Sequence, residues 1–130
     1  MPTSIKQRTT LPAPPAKIYR MLMNSKEHAR FTGAPATIGT KVGDRFTAHG
    51  PYIVGFNVEL IEGKRIVQAW RGSDWPPGAW SILSIDLERA KGGKTALTLT
   101  QHGVPPAHTR SIAQGWNDYY WEPMKCVLGE

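Results

Sequence analysis

The sequence predicts an α+β fold. A strongly curved antiparallel sheet of about six strands closes around one long C-terminal helix, and two short helices follow the first strand. Three observations carry this expectation. From residue 44 onward, apolar residues recur with period two in segments separated by turn residues, the pattern of a meander of strands. The segment 107–128 instead repeats with helical period, and its apolar arc spans roughly 200°, about twice the stripe of an ordinary surface helix. A sheet with an apolar face must bury it, and this last helix is the only long element left to cover it.

The elements follow in order. Residues 3–11, TSIKQRTTL, alternate in polarity and form the first strand. Pro14 and Pro15 suit a first helical turn, where a missing N–H costs nothing, and Ile18, Met21 and Leu22 follow at helical spacing. Asn24 or Ser25 caps a second short helix, SKEHARF, which Gly33 and Pro35 close. DRFTAH, residues 44–49, is a short strand. In YIVGFNVELIE, one face carries Tyr52, Val54, Phe56, Val58 and Leu60, and the other carries Ile53, Gly55, Asn57, Glu59 and Ile61. The wholly apolar face is the one expected to turn inward.

EGK, residues 62–64, reads as a hairpin turn, and RIVQAWR then sets Ile66, Gln68 and Trp70 on one face. SDWPPG is a loop in which Pro77-Gly78 suits the centre of a type II turn. WSILSIDLERA places Leu83, Ile85 and Leu87 together. After the Gly-Gly turn of KGGK, TALTLTQHG does the same with Leu97, Leu99 and Gln101. In the final helix Ile112, Gly115, Trp116, Tyr119, Tyr120, Pro123, Cys126 and Val127 cluster on one side, Met124, Leu128 and Trp121 extend that side, and Gln114, Asp118, Glu122 and Lys125 form the only polar stripe. Pro123 removes a backbone hydrogen bond and kinks the axis, which lets the helix follow a curved sheet. Gly115 costs about 1 kcal/mol against alanine in a helix. Its missing side chain is expected to let a strand or a large ring approach.

No repeat, low-complexity linker or second domain interrupts this order, so residues 1–130 are read as one domain. The net charge of +6, from 16 Lys and Arg against 10 Asp and Glu, is spread from Lys6 to Lys125. Such a spread suits a solvated surface rather than a nucleic-acid stripe, with attraction to an acidic partner or ligand as the alternative. The single cysteine, Cys126, excludes an internal disulfide and reads as a small core residue. No signal-peptide pattern and no apolar run near ~20 residues is present, so a cytoplasmic protein without membrane insertion is expected.

Residues arranged for chemistry are few. His28, His49, His102 and His108 lack metal-ligand spacing. Glu59, Asp86 and Glu88 fall on solvated strand faces. Asp74 reads as a turn-stabilising residue and His49 as a loop residue, each with a place at a cavity mouth as its alternative. No nucleophile elbow, phosphate loop or zincin motif occurs. No catalytic residue, metal or cofactor is therefore expected.

Four stretches together carry a resemblance: FTGAPATIGTKVGDRF, IVQAWRGSDWPPGAWSILSIDL, LTLTQHGVP and QGWNDYYWEPMKCVL. In this element order they resemble the activator-of-heat-shock-chaperone-ATPase homologue (AHSA-type) family of the START-like, or SRPBCC, superfamily. W-R-x-x-x-W-P, G-V-P and G-W-x-x-Y-Y-W, in that sequence, are its most specific parts, and the likeness runs from Ile18 to Leu128. One departure is Gly43-Asp44 before Arg45-Phe46, where the family often carries paired glycines.

The resemblance implies the helix-grip (START-like, Bet v-like) fold, often with a cavity between sheet and helix. It also implies correspondence to the C-terminal half of the eukaryotic chaperone activators, whose N-terminal docking domain has no counterpart in these residues. The superfamily includes binders of apolar small molecules and some enzymes, but no enzymatic residue set maps onto this chain.

The leading expectation is thus a non-enzymatic domain that binds a hydrophobic small molecule, lipid or aromatic. The expected cavity lining is Phe31, Phe46, Val54, Phe56, Gln68, Trp70, Leu83, Leu99, Gln101, Trp116 and Tyr120. The alternative is an interaction protein that partners a heat-shock chaperone in the stress response. A second alternative is a cyclase- or hydrolase-type enzyme. Nucleic acid is not expected as a partner, and both a monomer and a homodimer fit.

Overall fold

The computed structural model describes residues 3–129; the outermost residues of the expected domain, 1–2 and 130, lie outside them. Strand β1 (Thr3–Leu11) leads to helices α1 (Pro15–Met23) and α2 (Ser25–Thr32). Strands β2 (Ala36–Ile38), β3 (Arg45–Ala48), β4 (Ile53–Ile61), β5 (Arg65–Gly72), β6 (Ser81–Ala90) and β7 (Lys94–Val104) follow. They form one antiparallel sheet in the order β1-β7-β6-β5-β4-β3-β2. This is the helix-grip arrangement, with seven strands rather than about six. The added strand, β2, is three residues long and follows Gly33 and Pro35, so its local sequence carries only turn signals. It forms because β3 offers it an edge, pairing Ala36 with Ala48 and Ile38 with Phe46.

The two short helices begin as their sequence dictates. Pro15 takes the first turn of α1. Asn24 caps α2, its Oδ1 accepting from the Glu27 N–H at 3.0 Å, and Gly33 ends α2 in the left-handed region. Ser25 does not cap: its Oγ accepts from the Ile38 N–H at 2.8 Å and ties β2 to α2.

The C-terminal helix is not uniform. A 3₁₀ turn (Pro106–His108) leads into α3 (Thr109–Trp116), a π-turn (Asn117–Trp121) and α4 (Glu122–Val127). The irregularity expected at Pro123 takes the form of this π-turn. The proline has no N–H to donate, and its ring crowds the carbonyl four residues back. The wider turn absorbs the misfit: the Glu122 N–H reaches the Asn117 carbonyl, five residues back.

That extra residue shifts the phase of the helix. Tyr120, Trp121 and Met124 are buried, while Tyr119 and Val127 are about half exposed. The expected apolar side therefore holds at Tyr120, Trp121 and Met124 and fails at Tyr119 and Val127. Cys126 is exposed and not a core residue, because the π-turn rotates it away from the sheet.

A second correction concerns β4. Ile53, Gly55 and Asn57 point inward, and Val54, Phe56 and Val58 point outward, the reverse of the expectation. Two constraints outweigh hydrophobicity here. A Cβ at Gly55 would overlap the Ala69 carbonyl oxygen and the Phe46 ring, so the inner surface has room only for glycine. Asn57 is needed inside because its Nδ2 donates to the carbonyls of Gly39 at 2.8 Å and Lys41 at 3.0 Å. A bulge between Asn57 and Glu59 then resets the phase, and Leu60 packs against the core. Val54 and Phe56 consequently lie on the outer surface and line no interior cavity.

Candidate functional site

The inner layer is built from helix rings fixed by strand amides. The Trp116 Nε1–H donates to Gln101 Oε1 at 2.9 Å. Gln101 Nε2 donates to Ser81 Oγ at 3.0 Å, and Ser81 Oγ donates to the Trp70 carbonyl at 2.7 Å. Trp121 has the equivalent arrangement with β1: its Nε1–H donates to Gln7 Oε1 at 2.8 Å, while Gln7 Nε2 donates to the Ala113 carbonyl at 2.9 Å. Each inward indole of the helix thus has its own glutamine, which satisfies the polar atom that burial would otherwise penalise. The rings pack on one another, with Trp116 stacked on Trp121 at 5.7 Å and tilted against Tyr120 at 4.5 Å.

His28 enters this layer from α2. Its Nε2 lies 2.9 Å from the Tyr120 hydroxyl, and its buried Nδ1 has no partner. Burial, with His49 adding a smaller repulsion, holds the His28 pKa down to about 4. Burial also pushes the Tyr120 phenol up. Both groups are therefore uncharged at neutral pH.

Deep between sheet and helix little space is left. Around Gln68, Phe46, Leu83 and Trp116 it amounts to about 30 Å³, the scale of a water molecule rather than of a ligand. A larger space lies to one side of the helix. A groove of about 330 Å³ opens to solvent between the loop after β3 and the outer edge of α3. Its walls are His49 and Tyr52 from that loop, Ile53 and Trp70 from the sheet, and Ser111, Ile112, Gly115, Trp116, Tyr119 and Tyr120 from the helix.

Gly115 leaves this wall open: a Cβ there would meet only the Tyr119 Cδ2, at 3.8 Å. Of the two expected approaches, it is the large ring and not a strand that comes near. His49 sits at positive φ (54°) with its ring edge-on to Tyr119 and Tyr120, at 5.4 and 5.7 Å. Burial lowers its pKa as well. Tyr52 is pushed up to about 12, first by burial and then by the Asp74 carboxylate.

The W-R-x-x-x-W-P stretch shapes the sheet end beside the groove. The Arg71 guanidinium donates to the carbonyls of Ala79 at 3.0 Å, Trp75 at 2.8 Å and Pro76 at 3.2 Å, and so holds the loop after β5. That loop buries Trp75 against Trp70, with ring centroids 5.6 Å apart.

Of the residues expected to line a cavity, Trp70, Trp116 and Tyr120 reach the groove. Phe31, Phe46, Gln68, Leu83, Leu99 and Gln101 are buried as packing or hydrogen-bonding groups. Gln68 Nε2 donates to Asn57 Oδ1 at 3.1 Å. Val54 and Phe56 lie outside. His49 takes the mouth position that was its alternative.

Ser111, Gly115 and Tyr119 were not anticipated as a group. Their spacing of four along a helix marks a stripe beside the core arc and is the signal that points to them. Among the described residues no group of three or more His, Cys, Asp or Glu gathers to hold a metal, and no helix is long and apolar enough to cross a membrane.

Comparison with known proteins agrees with this architecture. A family model described as Activator of Hsp90 ATPase homolog 1-like protein matches residues 12–129. The Homo sapiens Activator of 90 kDa heat shock protein ATPase homolog 1 is 30% identical over 125 residues, which are 96% of this chain and 37% of that protein. A Dictyostelium discoideum Activator of 90 kDa heat shock protein ATPase homolog is 26% identical over 113 residues, 87% of this chain and 30% of that protein. The chain thus spans about a third of the length of the curated relatives it matches.

Among solved structures, an HSP90 activator from Plasmodium falciparum superposes with a TM-score of 0.91 at 22% identity, covering 97% of this chain and 96% of that one. The Aha1 dimer from Colwellia psychrerythraea superposes with a TM-score of 0.80 at 18% identity, again covering 97% and 96%. At these identities the likeness of the structures speaks for the fold alone.

Proposed function

This chain belongs to the Activator of Hsp90 ATPase homolog 1-like family, and from that premise we propose that it acts as a chaperone-associated interaction protein, engaging a 90 kDa heat-shock chaperone and altering its ATP hydrolysis. The observation that carries this reading is the match of residues 12–129 to the family model, together with relatives that carry the activator name. The nearly full interior supports it from the other side, since a space of about 30 Å³ leaves the sheet and helix serving as a rigid scaffold. The net charge of +6 suits a partner with acidic surface. Residues 1–130 are read as one interaction unit.

The test is to titrate the purified chain into the cognate 90 kDa chaperone and follow both ATP turnover and complex formation as salt is raised. The rate should change in a saturable way, and the complex should weaken as charge is screened. An unchanged rate with no complex at low salt overturns the reading.

A second reading has one observation in its favour. The groove of about 330 Å³ beside α3 falls at the lower end of the size range of small-molecule sites, and its walls are mostly aromatic. An apolar ligand held there would raise the melting temperature by mass action. A Gly115→Leu variant, which fills the groove, should lose that shift. No shift across fatty acids and aromatic dyes removes this reading.

A further inference from the structure

The outer face of the sheet carries a hollow separate from the groove. It has a volume of about 450 Å³ and is lined by Arg45, Thr47, Val54, Phe56 and Trp80, with Phe46 and Gly55 also reaching it. Cross-strand register sets Arg45 opposite Phe56, Phe56 opposite Ala69, and Ala69 opposite Ile82. An apolar row therefore crosses β4, β5 and β6, beginning at a cation. Phe56, Val58, Trp80 and Ile82 are 42%, 44%, 43% and 45% exposed. The rings of Phe56 and Trp80 lie 6.1 Å apart, and the Arg71 guanidinium stands 5.8 Å from the Trp80 ring. Scattered apolar side chains on a surface need no explanation, but a contiguous patch with a polar rim marks a site of interaction.

We propose that this outer hollow over β3 to β6 is the surface on which the protein partner docks, and that it receives an apolar side chain of the partner set beside a carboxylate. The proposal rests on the chaperone reading and locates its contact. Charge complementarity supplies the chemistry of the partner. Arg45 forms no ion pair among the described residues, and the Arg71 guanidinium stands beside the Trp80 ring. The acidic groups Glu59 and Asp86 on this face are occupied by Arg65, at 3.4 and 2.7 Å, and do not pair with Arg45. A hydrophobic hollow edged by an unpaired arginine fits an acidic protein surface with one projecting apolar group.

Two other occupants fit less well. A second copy of this chain meeting it through a two-fold axis would bring the same patch against itself, setting arginines near arginines. A lipid surface takes apolar groups that project into it, whereas here they are half covered around a depression.

The experiment measures binding of the full chain to the cognate 90 kDa chaperone, with Arg45→Glu, Phe56→Ser and a control, Lys91→Glu, in a turn away from the hollow. Melting curves confirm that each variant is folded. Arg45→Glu sits on an exposed position and keeps the test valid if Phe56→Ser folds poorly. Arg45→Glu and Phe56→Ser should each weaken binding by about tenfold or more, and Lys91→Glu by less than about twofold. Arg45→Glu should also flatten the salt dependence.

If the wild-type chain binds and both hollow variants bind equally well, the docking surface is wrong while the chaperone reading stands. If the wild-type chain does not bind at all, the chaperone reading fails and takes this proposal with it. Self-association of the chain alone that Phe56→Ser abolishes would assign the hollow to a second copy, and binding to anionic vesicles that Phe56→Ser abolishes would assign it to lipid. Either result overturns the proposal.

Discussion

The two faces of β4 differ in a way that residue type alone would misjudge. The inner face holds Ile53, Gly55 and Asn57, and the outer face holds Val54, Phe56 and Val58. Hydrophobicity favours the opposite assignment. The inner face is decided instead by clearance and by hydrogen bonds: the Ala69 carbonyl and the Phe46 ring leave no room for a side chain at position 55, and two loop carbonyls require the Asn57 amide. The outer face is then free to keep its apolar residues. Burial of a polar group is tolerated where every partner is supplied, and exposure of apolar groups is tolerated at modest cost.

Measured stabilities of single variants test this contrast. The largest effect should come from the inner layer. Trp116→Ala removes a ring that is stacked on Trp121 and leaves Gln101 without its donor, and should cost roughly 3–5 kcal/mol in denaturant unfolding. A loss below about 1 kcal/mol would mean that the layer is not tightly packed.

Acid should act on the same layer through His28. Its folded pKa of about 4 lies below the 6.5 of an unfolded histidine, so the unfolded chain binds the proton first. Stability is complete above pH 6.5 and falls as pH drops toward 4, by on the order of 3 kcal/mol. His28→Phe should flatten most of that slope in melting temperature against pH, and an unchanged slope would show that His28 is not buried neutral.

The direct test of β4 is a pair of substitutions that run against hydrophobicity. Asn57→Leu, which is more apolar, should destabilise by roughly 1–3 kcal/mol because the carbonyls of Gly39 and Lys41 lose their donor. Phe56→Thr, which is less apolar, should change stability by no more than about 0.5 kcal/mol. Equal effects would erase the difference between the faces. The smallest expected change is a gain. Gly115→Ala meets only Tyr119, at 3.8 Å, and should stabilise the helix by about 0.5–1 kcal/mol. A loss of stability would mean that the groove wall is closed at that point.

Much of the architecture was legible because long periodic segments report it. The strands from Arg65 to Val104 kept their period, and Ile66, Gln68, Trp70, Leu83, Ile85, Leu97, Leu99 and Gln101 all face inward as the alternation implies. The failures have local physical causes. Strand β2 is too short to carry a period and exists only by pairing with β3. The outer assignment of Val54 and Phe56 follows from contacts with residues distant in sequence. The final helix departed from an ideal wheel at its π-turn, which exposed Tyr119 and Cys126 while Trp121 and Met124 stayed buried as expected. Gln68 and Gln101 did announce an internal polar framework, although not that Trp116 and Asn57 would complete it. The groove was the least legible feature, since its walls come from a loop at His49 and one edge of α3.

The π-turn also makes the last helix uneven in its sensitivity to length. It takes up one residue more than an α-helical turn between two α-helical rods and so fixes their angular offset. Removing one residue between Asn117 and Trp121 would leave a regular α-helical path in which α4 keeps its present side toward the sheet, with Pro123 then set in an ordinary turn. Removing one residue from α3 instead would turn everything beyond it by about 100° and carry Met124 away from the position it now fills. In this chain a deletion in α3 should therefore be more damaging than one within the π-turn.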